Sequence, residues 1–280
     1  MSNASGDFAQ RYGPWAVVAG ASEGVGLTFA REMAERGLNV VLLSRRQPLL
    51  DEIAAELRDR WGVDALPMAV DLSEDAAAST VFDAIGGLEV GMFMYSPGAD
   101  PIFKHFLDSP LEAADALVRR NCMVPMQLCY HLARPMVERG RGGIILVTSG
   151  AGLVGARRMV AYSASKAFDM VMGEALWAEL QDTGVDVLSL VLGVTDTPAL
   201  RRLLAERGNL SSADDGTPIP GAATPEEVVA DALENLSKGP TWFIGEMLRE
   251  GSKQLGAMAR SDAARVMREA GAGVMDTKLS

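Results

Sequence analysis

The feature that most constrains the fold of this chain is a regular alternation of short apolar, β-rich runs with segments of helical periodicity. The seven predicted strands are Trp15–Ala19, Val40–Leu43, Ala65–Val70, Val90–Tyr95, Gly143–Thr148, Val185–Leu192 and Thr241–Ile244. The predicted helices between them are about Val25–Arg36, Pro48–Trp61, Asp75–Ile85, Leu111–Arg139, Ala161–Asp182 and Pro225–Leu236. Strands that are apolar on both faces and are joined by helices form a parallel sheet that is covered on both sides. The pattern therefore predicts an α/β fold with one doubly wound, seven-stranded parallel sheet and helices on both faces.

The alternation runs through most of the 280 residues, so we expect a single domain over residues 1–280. Two segments fall outside it. Residues 200–223 contain Arg201 and Arg202 and then a loop rich in Gly, Ser, Asp and Pro, a composition typical of a mobile lid. Residues 246–280 have a helical pattern and form a predicted tail that covers either the substrate side or a subunit contact.

Charge and cysteine content exclude several kinds of partner. The net charge of −11 disfavours nucleic acid and anionic membrane surfaces, and no apolar run approaches the ~18 residues that span a bilayer. Cys122 and Cys129 lie ~10 Å apart along one predicted helix, too far for a disulfide with each other. This favours a reduced, cytoplasmic location. Adding His105 and His131 produces no spacing of metal ligands, so no metal site is expected.

A glycine-rich turn follows the first predicted strand and precedes a helix. Glycines in such a turn let the backbone approach a pyrophosphate, which the N–H groups of the helix N-terminus then bind. A tight turn that only packs a helix on a strand is the alternative. The predicted cofactor contacts in this turn are Gly20, Ser22, Glu23, Gly24, Val25 and Gly26.

The end of the second predicted strand bears on the choice of cofactor. An acidic residue there binds ribose hydroxyls, whereas this chain has Ser44 and Arg45. A guanidinium binds a 2′-phosphate that a carboxylate would repel, so Arg45 favours NADP and leaves NAD possible. Glu23 in the turn opposes this reading, and an arginine in a solvated helix start is the alternative. Asp71 and Leu72, after the third strand, are placed to contact the adenine.

Tyr162 and Lys166 are four residues apart on one helix face. A neighbouring cation favours the phenolate form, which suits the phenol to general acid/base work. The alternative is that this tyrosine and lysine are an ordinary pair on an exposed helix face, without a catalytic role. Ser149 ends the fifth strand at the carboxyl edge, where open sheets bind ligands; a turn or cap serine is its alternative.

In this order the motifs resemble the short-chain dehydrogenase/reductase family over about residues 14–244. The resemblance rests on Gly20, Gly24 and Gly26 in the spacing GxxxGxG, on Asp71, and on the four residues Asn121, Ser149, Tyr162 and Lys166. It implies a Rossmann-like domain and an NAD(P)-dependent oxidoreductase that interconverts a ketone and a secondary alcohol, with NADPH preferred. It also implies a homodimer or homotetramer formed through the fourth and fifth helices.

The resemblance further implies a role for each catalytic candidate. Tyr162 is the general acid/base, Lys166 binds the nicotinamide ribose and favours the phenolate, and Ser149 binds the substrate oxygen. Asn121 supports a water relay. Gly98, Thr195 and Thr197, together with Tyr162 and Lys166, complete the expected cofactor contacts.

Three positions depart from the family pattern. Ala19 stands in place of the usual Thr, Tyr95–Pro97 replaces Asn-Asn-Ala before Gly98, and Leu192 replaces the Pro of a Pro-Gly-x-x-x-Thr motif. The second departure removes amide side chains that brace the sheet near the cofactor. A cofactor-binding sensor without turnover and an epimerase or dehydratase of the family's extended branch are the alternative functions; the intact tetrad argues against the first and the glycine spacing and chain length against the second.

The lid and tail contribute apolar residues that predict a partly apolar substrate, although such residues are more often core: Leu153, Met159, Leu200, Leu203 and Leu204. Pro125 carries one structural prediction. Because proline has no N–H, the Asn121 carbonyl loses its intrahelical partner and the helix kinks or widens. We expect that carbonyl to hold a water linking Lys166 to solvent; a packing kink is the alternative.

Overall fold

The computed structural model describes residues 2–97 and 103–275, with side chains for residues 6–97 and 103–269. Its strands form one parallel, seven-stranded sheet in the order β3-β2-β1-β4-β5-β6-β7. The strands are β1 Trp15–Ala19, β2 Asn39–Ser44, β3 Ala65–Ala69, β4 Val90–Tyr95, β5 Gly142–Ser149, β6 Val185–Leu192 and β7 Thr241–Phe243. The predicted doubly wound α/β fold is therefore confirmed.

Helices cover both faces of the sheet. Their bounds are α1 Ser2–Tyr12, α2 Gly24–Glu35, α3 Gln47–Trp61, α4 Ala77–Ile85, α5 Leu111–Val118, α6 Val124–Arg139, α7 Val160–Leu180, α8 Pro198–Glu206, α9 Pro225–Asn235, α10 Glu246–Ala257 and α11 Arg260–Met275. Local signals set several ends: Thr224 and Glu227 form a capping box at the start of α9, and α3 ends at the left-handed Gly62.

The central strands divide the apolar core into two parts. In β1 the side chains of Ala16 and Val18 pack on one face with α2, α3 and α9, whereas Val17 and Ala19 pack on the other with α4 and α6. Both faces are apolar because successive strand residues point to opposite sides and each side is covered by helices. This is why the strands read as continuous apolar runs in the sequence.

The predicted fourth helix is interrupted by a wider turn. Residues Arg119–Met123 form a π-helix between α5 and α6, and Asn121 lies at its centre, buried. Pro125 removes one backbone N–H, and a π-helical turn accommodates the change in hydrogen bonding. The predicted widening at Asn121 is therefore confirmed. The bound water stays a prediction.

The lid segment is partly helical. Thr197 caps α8 by accepting a hydrogen bond at 3.2 Å from the Leu200 amide, and the guanidinium of Arg201 forms a two-point ion pair with Asp196. In the loop after α8, the Asp215 carboxylate accepts hydrogen bonds from the hydroxyls of Ser211 and Thr217.

Sequence reasoning missed α1, whose Tyr12 hydroxyl donates to Asp186 of β6 at 2.6 Å. The single domain, and the lid's movement over a substrate, stay predictions.

Candidate active site

The glycine turn has the geometry that a pyrophosphate requires. Gly20 and Gly24 adopt positive φ angles of 82° and 55°, and a Cβ on Gly26 would lie 2.2 Å from the Gly20 carbonyl oxygen. Helix α2 begins at Gly24, and its N-cap residue Glu23 forms no side-chain cap. The N–H groups of the first turn therefore have no side-chain cap and are available to bind an anion. Val25, at the second helical position, has a buried side chain that packs in the core.

Two arginines hold the carboxylate of Glu23. Arg202 of α8 donates to Glu23 at 2.7 Å, and Arg46 Nη2 donates to Glu23 at 3.2 Å and to the Ser22 hydroxyl at 3.1 Å. Burial raises the pKa of Glu23, but the bonds and charges of Arg202 and Arg46 outweigh it and hold the pKa below its usual value. Arg46 thus reaches the turn, a contact that the sequence prediction assigned to no residue. The only available signal was its place directly after Arg45.

The predicted adenine-side residues lie at the carboxyl ends of β2 and β3. Asp71 accepts bonds from the Ser73 amide at 2.9 Å and hydroxyl at 2.6 Å. These bonds lower the pKa of Asp71, burial opposes them, and the positive charge of Arg45 adds to the lowering. The guanidinium of Arg45 is therefore close enough to Asp71 to help lower its pKa. Ser44 ends β2, and Leu72 is buried. The two strands are neighbours, so these side chains share one edge.

Thr197 packs on the glycine turn, and Thr195 lies two residues before it. A Cβ at Gly24 would lie 3.0 Å from the Thr197 methyl group, so this threonine packs directly on the turn. The buried hydroxyl of Thr195 has no hydrogen-bond partner among the described residues, which suits it to an amide group. Gly98 lies outside the described residues. The observed turn, the open helix N-terminus and the unpartnered hydroxyl fit a nicotinamide dinucleotide.

The four catalytic candidates lie on β5, on α7 and on the π-helical turn before α6. Ser149 ends that strand, and its hydroxyl accepts a bond from the Ala151 amide at 3.2 Å. Tyr162 lies in the first turn of α7, with the ring of Phe103 edge-on at 6.3 Å between centroids. Asn121 donates through Nδ2 to the Ser165 hydroxyl at 2.9 Å, and that hydroxyl donates to the Tyr162 carbonyl at 2.9 Å.

Lys166 is held by partners that sequence reasoning missed. Its side chain is buried, and Nζ donates to the Val147 carbonyl at 2.8 Å and to Asp169 Oδ2 at 3.0 Å. The ammonium therefore has interior partners on β5 and on its own helix. An acidic residue three positions after the lysine was the available signal, because residues at that spacing share a helix face.

Apolar side chains form a wall beside Ser149. A Cβ at Gly150 would lie 2.8 Å from Leu248 Cδ1, and one at Gly221 would lie 3.2 Å from Met247 Cε. Helix α10 thus packs against both the segment after β5 and the lid loop. The apolar residues predicted for the substrate side are all partly buried: Leu153, Met159, Leu200, Leu203 and Leu204.

Two other kinds of site are absent from the described residues. Within residues 2–97 and 103–275 no group of three or more His, Cys, Asp or Glu side chains is arranged to hold a metal ion. Over the same residues, no helix combines the length and apolarity needed to cross a membrane.

Comparison with known proteins agrees with this geometry. The model of the short chain dehydrogenase family matches residues 14–208. A 7β-hydroxysteroid dehydrogenase of Collinsella aerofaciens is 36% identical over 85% of this chain and 88% of its own length. A very-long-chain 3-oxoacyl-CoA reductase of Neurospora crassa is 35% identical over 71% of this chain and 62% of its own length.

Solved structures show the same similarity. A 7β-hydroxysteroid dehydrogenase structure superposes with a TM-score of 0.82 and 33% identity, covering 92% of this chain and 98% of that one. A Sphingobium yanoikuyae short-chain dehydrogenase in complex with NADPH has a TM-score of 0.72 and 25% identity over 89% and 97%. The chain belongs to the short-chain dehydrogenase family. It is an NAD(P)-dependent oxidoreductase that acts on CH–OH and C=O groups.

Proposed function

We propose that this protein interconverts a bulky, largely apolar cyclic ketone and its secondary alcohol, of the hydroxysteroid class, with NADPH as the preferred cofactor. The observation that carries the proposal is the packing of Leu248, in the apolar wall of α10, against Gly150, the residue that directly follows Ser149. Relatives named 7β-hydroxysteroid dehydrogenase, 31–36% identical over 85–91% of the chain, support the same substrate class.

In this reaction each site residue has a task that its position supports. The glycine turn binds the pyrophosphate, and Thr195 and Thr197 face the carboxamide. The nicotinamide supplies the hydride in reduction and accepts it in oxidation. In reduction Tyr162 donates its phenolic proton to the carbonyl oxygen, to which Ser149 also donates a hydrogen bond.

Two further residues prepare Tyr162 for that task. The positive charge of Lys166 favours the phenolate that forms when the proton leaves, and its ammonium binds the nicotinamide ribose in exchange for its bond to the Val147 carbonyl. Asn121 fixes the first turn of α7 through Ser165, whose hydroxyl is bonded to the Tyr162 carbonyl. We expect these hydrogen bonds to hold the Tyr162 phenol at a fixed position relative to the Ser149 hydroxyl.

The preference for NADPH rests on two guanidinium groups. Arg46 contacts the glycine turn, and the charge of Arg45 helps to lower the pKa of Asp71. The two residues between β2 and α3 therefore both present positive charge to this side of the site. We expect each guanidinium to bind a 2′-phosphate, either through two hydrogen bonds or through its charge alone. In binding it, Arg46 exchanges its contact with Glu23 for the phosphate, and Arg202 keeps the Glu23 carboxylate paired.

A substrate panel tests the proposal. NADPH consumption is measured with 7-oxo steroids, small ketones and 3-oxoacyl-CoA thioesters. We expect kcat/KM for the steroid ketones to exceed that for small ketones by at least tenfold, because apolar burial against α10 stabilises the larger substrate. A clear preference for the acyl-CoA thioester or for small ketones would contradict the substrate class.

We further propose that the protein forms a homodimer or homotetramer in the cytoplasm. Exposed apolar side chains follow the outer faces of α5 to α7, and burying them in a subunit contact removes them from water. They are Leu111, Val118, Met123, Met126, Tyr130, Val160, Phe168 and Val171. The free, buried thiols of Cys122 and Cys129 support a reducing compartment.

A further inference from the structure

Helix α7 carries a buried carboxylate directly behind the acid/base pair. Tyr162, Lys166 and Asp169 are spaced four and three residues apart, so they lie along one stripe of the helix. The side chains of Lys166 and Asp169 are only 4% and 2% exposed, and Nζ lies 3.0 Å from Oδ2. The ammonium is thus shared between this carboxylate and the Val147 carbonyl.

Among the described residues, Lys166 is the ionic partner of Asp169. The titratable groups that face it are the Tyr95 hydroxyl of β4 and the thiols of Cys122 and Cys129, from the π-helix and α6. Its second oxygen, Oδ1, has no hydrogen-bond partner within the described part of the chain. Burial raises the pKa of Asp169, and the neighbouring ammonium offsets only part of that rise.

A buried ion pair of this kind is a costly way to pack a helix. Taking both charges from water is unfavourable, and apolar residues of similar volume often stabilise a fold equally well. The pair therefore points to a task that apolar side chains cannot perform. The pair lies one to two turns beyond Tyr162 on the same helix, which connects that task to the acid/base chemistry.

We propose that Asp169 is a positioning residue of the reaction: its carboxylate holds the Lys166 ammonium and offsets part of its charge, and so sets the pH range in which Tyr162 acts as a base. This inference rests on the proposed roles of Tyr162 and Lys166. With Asp169 ionised, the phenol senses a partly neutralised cation. Removing the negative charge leaves the ammonium uncompensated and favours the phenolate.

The expected effect is large enough to measure. Tyr162 and Asp169 are seven residues apart, ~10 Å along a helix axis. At an effective dielectric constant of ~20, one unit charge at that distance shifts a proton equilibrium by about one pH unit. The limb on which alcohol oxidation falls at low pH moves to lower pH, because the phenolate persists further into the acidic range.

The test is the pH profile of kcat/KM for alcohol oxidation in purified, full-length variants. Asp169→Asn keeps an acceptor for Lys166 but removes the charge, and its acidic limb is expected about one pH unit lower. Asp169→Glu restores the charge and is expected within a few tenths of a unit of the unmodified protein. Glu179→Gln, which removes an exposed charge from the same helix, is the matched control and should leave the limb in place.

An unmoved limb in folded Asp169→Asn overturns the proposal, as does an equal shift in Glu179→Gln. If Asp169→Asn does not fold, Asp169→Ser removes the same charge, and failure of both variants to fold assigns the carboxylate to folding and also overturns the proposal. Tyr162→Phe separates the two hypotheses. Activity in that variant refutes the proposed function, whereas its inactivity with an unmoved Asp169→Asn limb refutes only the role of Asp169.

Discussion

At the scale of single residues, the proposed chemistry depends on the phenol of Tyr162. Replacing it in Tyr162→Phe removes the proton donor while keeping the ring that meets Phe103 edge-on. We expect turnover to fall by at least 10³-fold, within the range for general acid/base groups, while nucleotide affinity measured by fluorescence stays within about threefold. Tyr130→Phe, at an exposed tyrosine on α6, is the control. Turnover within tenfold of the unmodified protein would remove Tyr162 from this role.

The arginines after β2 carry the second residue-scale prediction. Arg45→Asp should reverse the preference for NADPH over NADH, because a carboxylate repels the 2′-phosphate. Arg46→Ala should raise the Kd for NADPH about tenfold or more, the value of a charge-assisted hydrogen bond, and change the Kd for NADH much less. Calorimetric titration with both nucleotides measures this, with Arg60→Ala, in the last turn of α3, as the control. Tighter binding of NADH by the unmodified protein would exclude the NADP assignment.

The elements of the fold agree closely with the apolar pattern, and the differences have local causes. The predicted strands match the observed ones to within one or two residues, because a strand that is buried on both faces consists of consecutive apolar residues. The helix after β4 contains a π-helical turn, and Pro125 indicated where it would occur. Helix α1 was missed because its sequence, SNASGDFAQRY, has few apolar residues; contacts of its last turn with the sheet hold it.

The loop after α8 supports a prediction at the scale of elements. Asp215 accepts bonds from the Ser211 hydroxyl at 2.6 Å and amide at 3.2 Å, and from the Thr217 hydroxyl at 2.5 Å and amide at 2.9 Å. The hydrogen bond from the Ser211 hydroxyl lowers the pKa of Asp215 most, and those from Thr217 lower it further. Together they hold this pKa below its ordinary value of 3.8. Asp215→Asn should therefore speed amide hydrogen exchange across residues 207–223 at neutral pH. Asp214→Asn, at the exposed neighbouring carboxylate, is the control.

The same bonds determine how the loop responds to acid. Because the folded-state pKa of Asp215 is lowered, its stabilisation is complete above pH 3.8 and is lost as the pH falls from there through the folded-state value. The lid prediction adds that exchange in residues 207–223 is faster than in the central strands without ligand and slows with cofactor and substrate. Uniformly slow exchange in the ligand-free protein would contradict it.

At the scale of the whole molecule, the prediction concerns assembly. Met126 on α6 is 40% exposed within the apolar face proposed as the subunit contact. Met126→Glu would place a charge in that contact, so we expect the molar mass from light scattering to fall towards that of one 29.7 kDa chain at micromolar concentration. Met258→Glu, at a methionine that is also 40% exposed but lies after α10, should leave the assembly intact. A single-chain mass for the unmodified protein would refute the proposed oligomer.

The sequence by itself determined the order of strands and helices, the glycine turn and the tyrosine–lysine pair. These features depend on residues a few positions apart, where periodicity and spacing translate directly into geometry. Only the tertiary structure decided that Arg46 reaches the turn and that Leu248 of the distant α10 forms a wall beside Ser149. It also decided that Lys166 pairs with Asp169 inside the core. Those contacts depend on side-chain rotamers and on the packing of segments far apart in the chain, which spacing along a sequence does not specify.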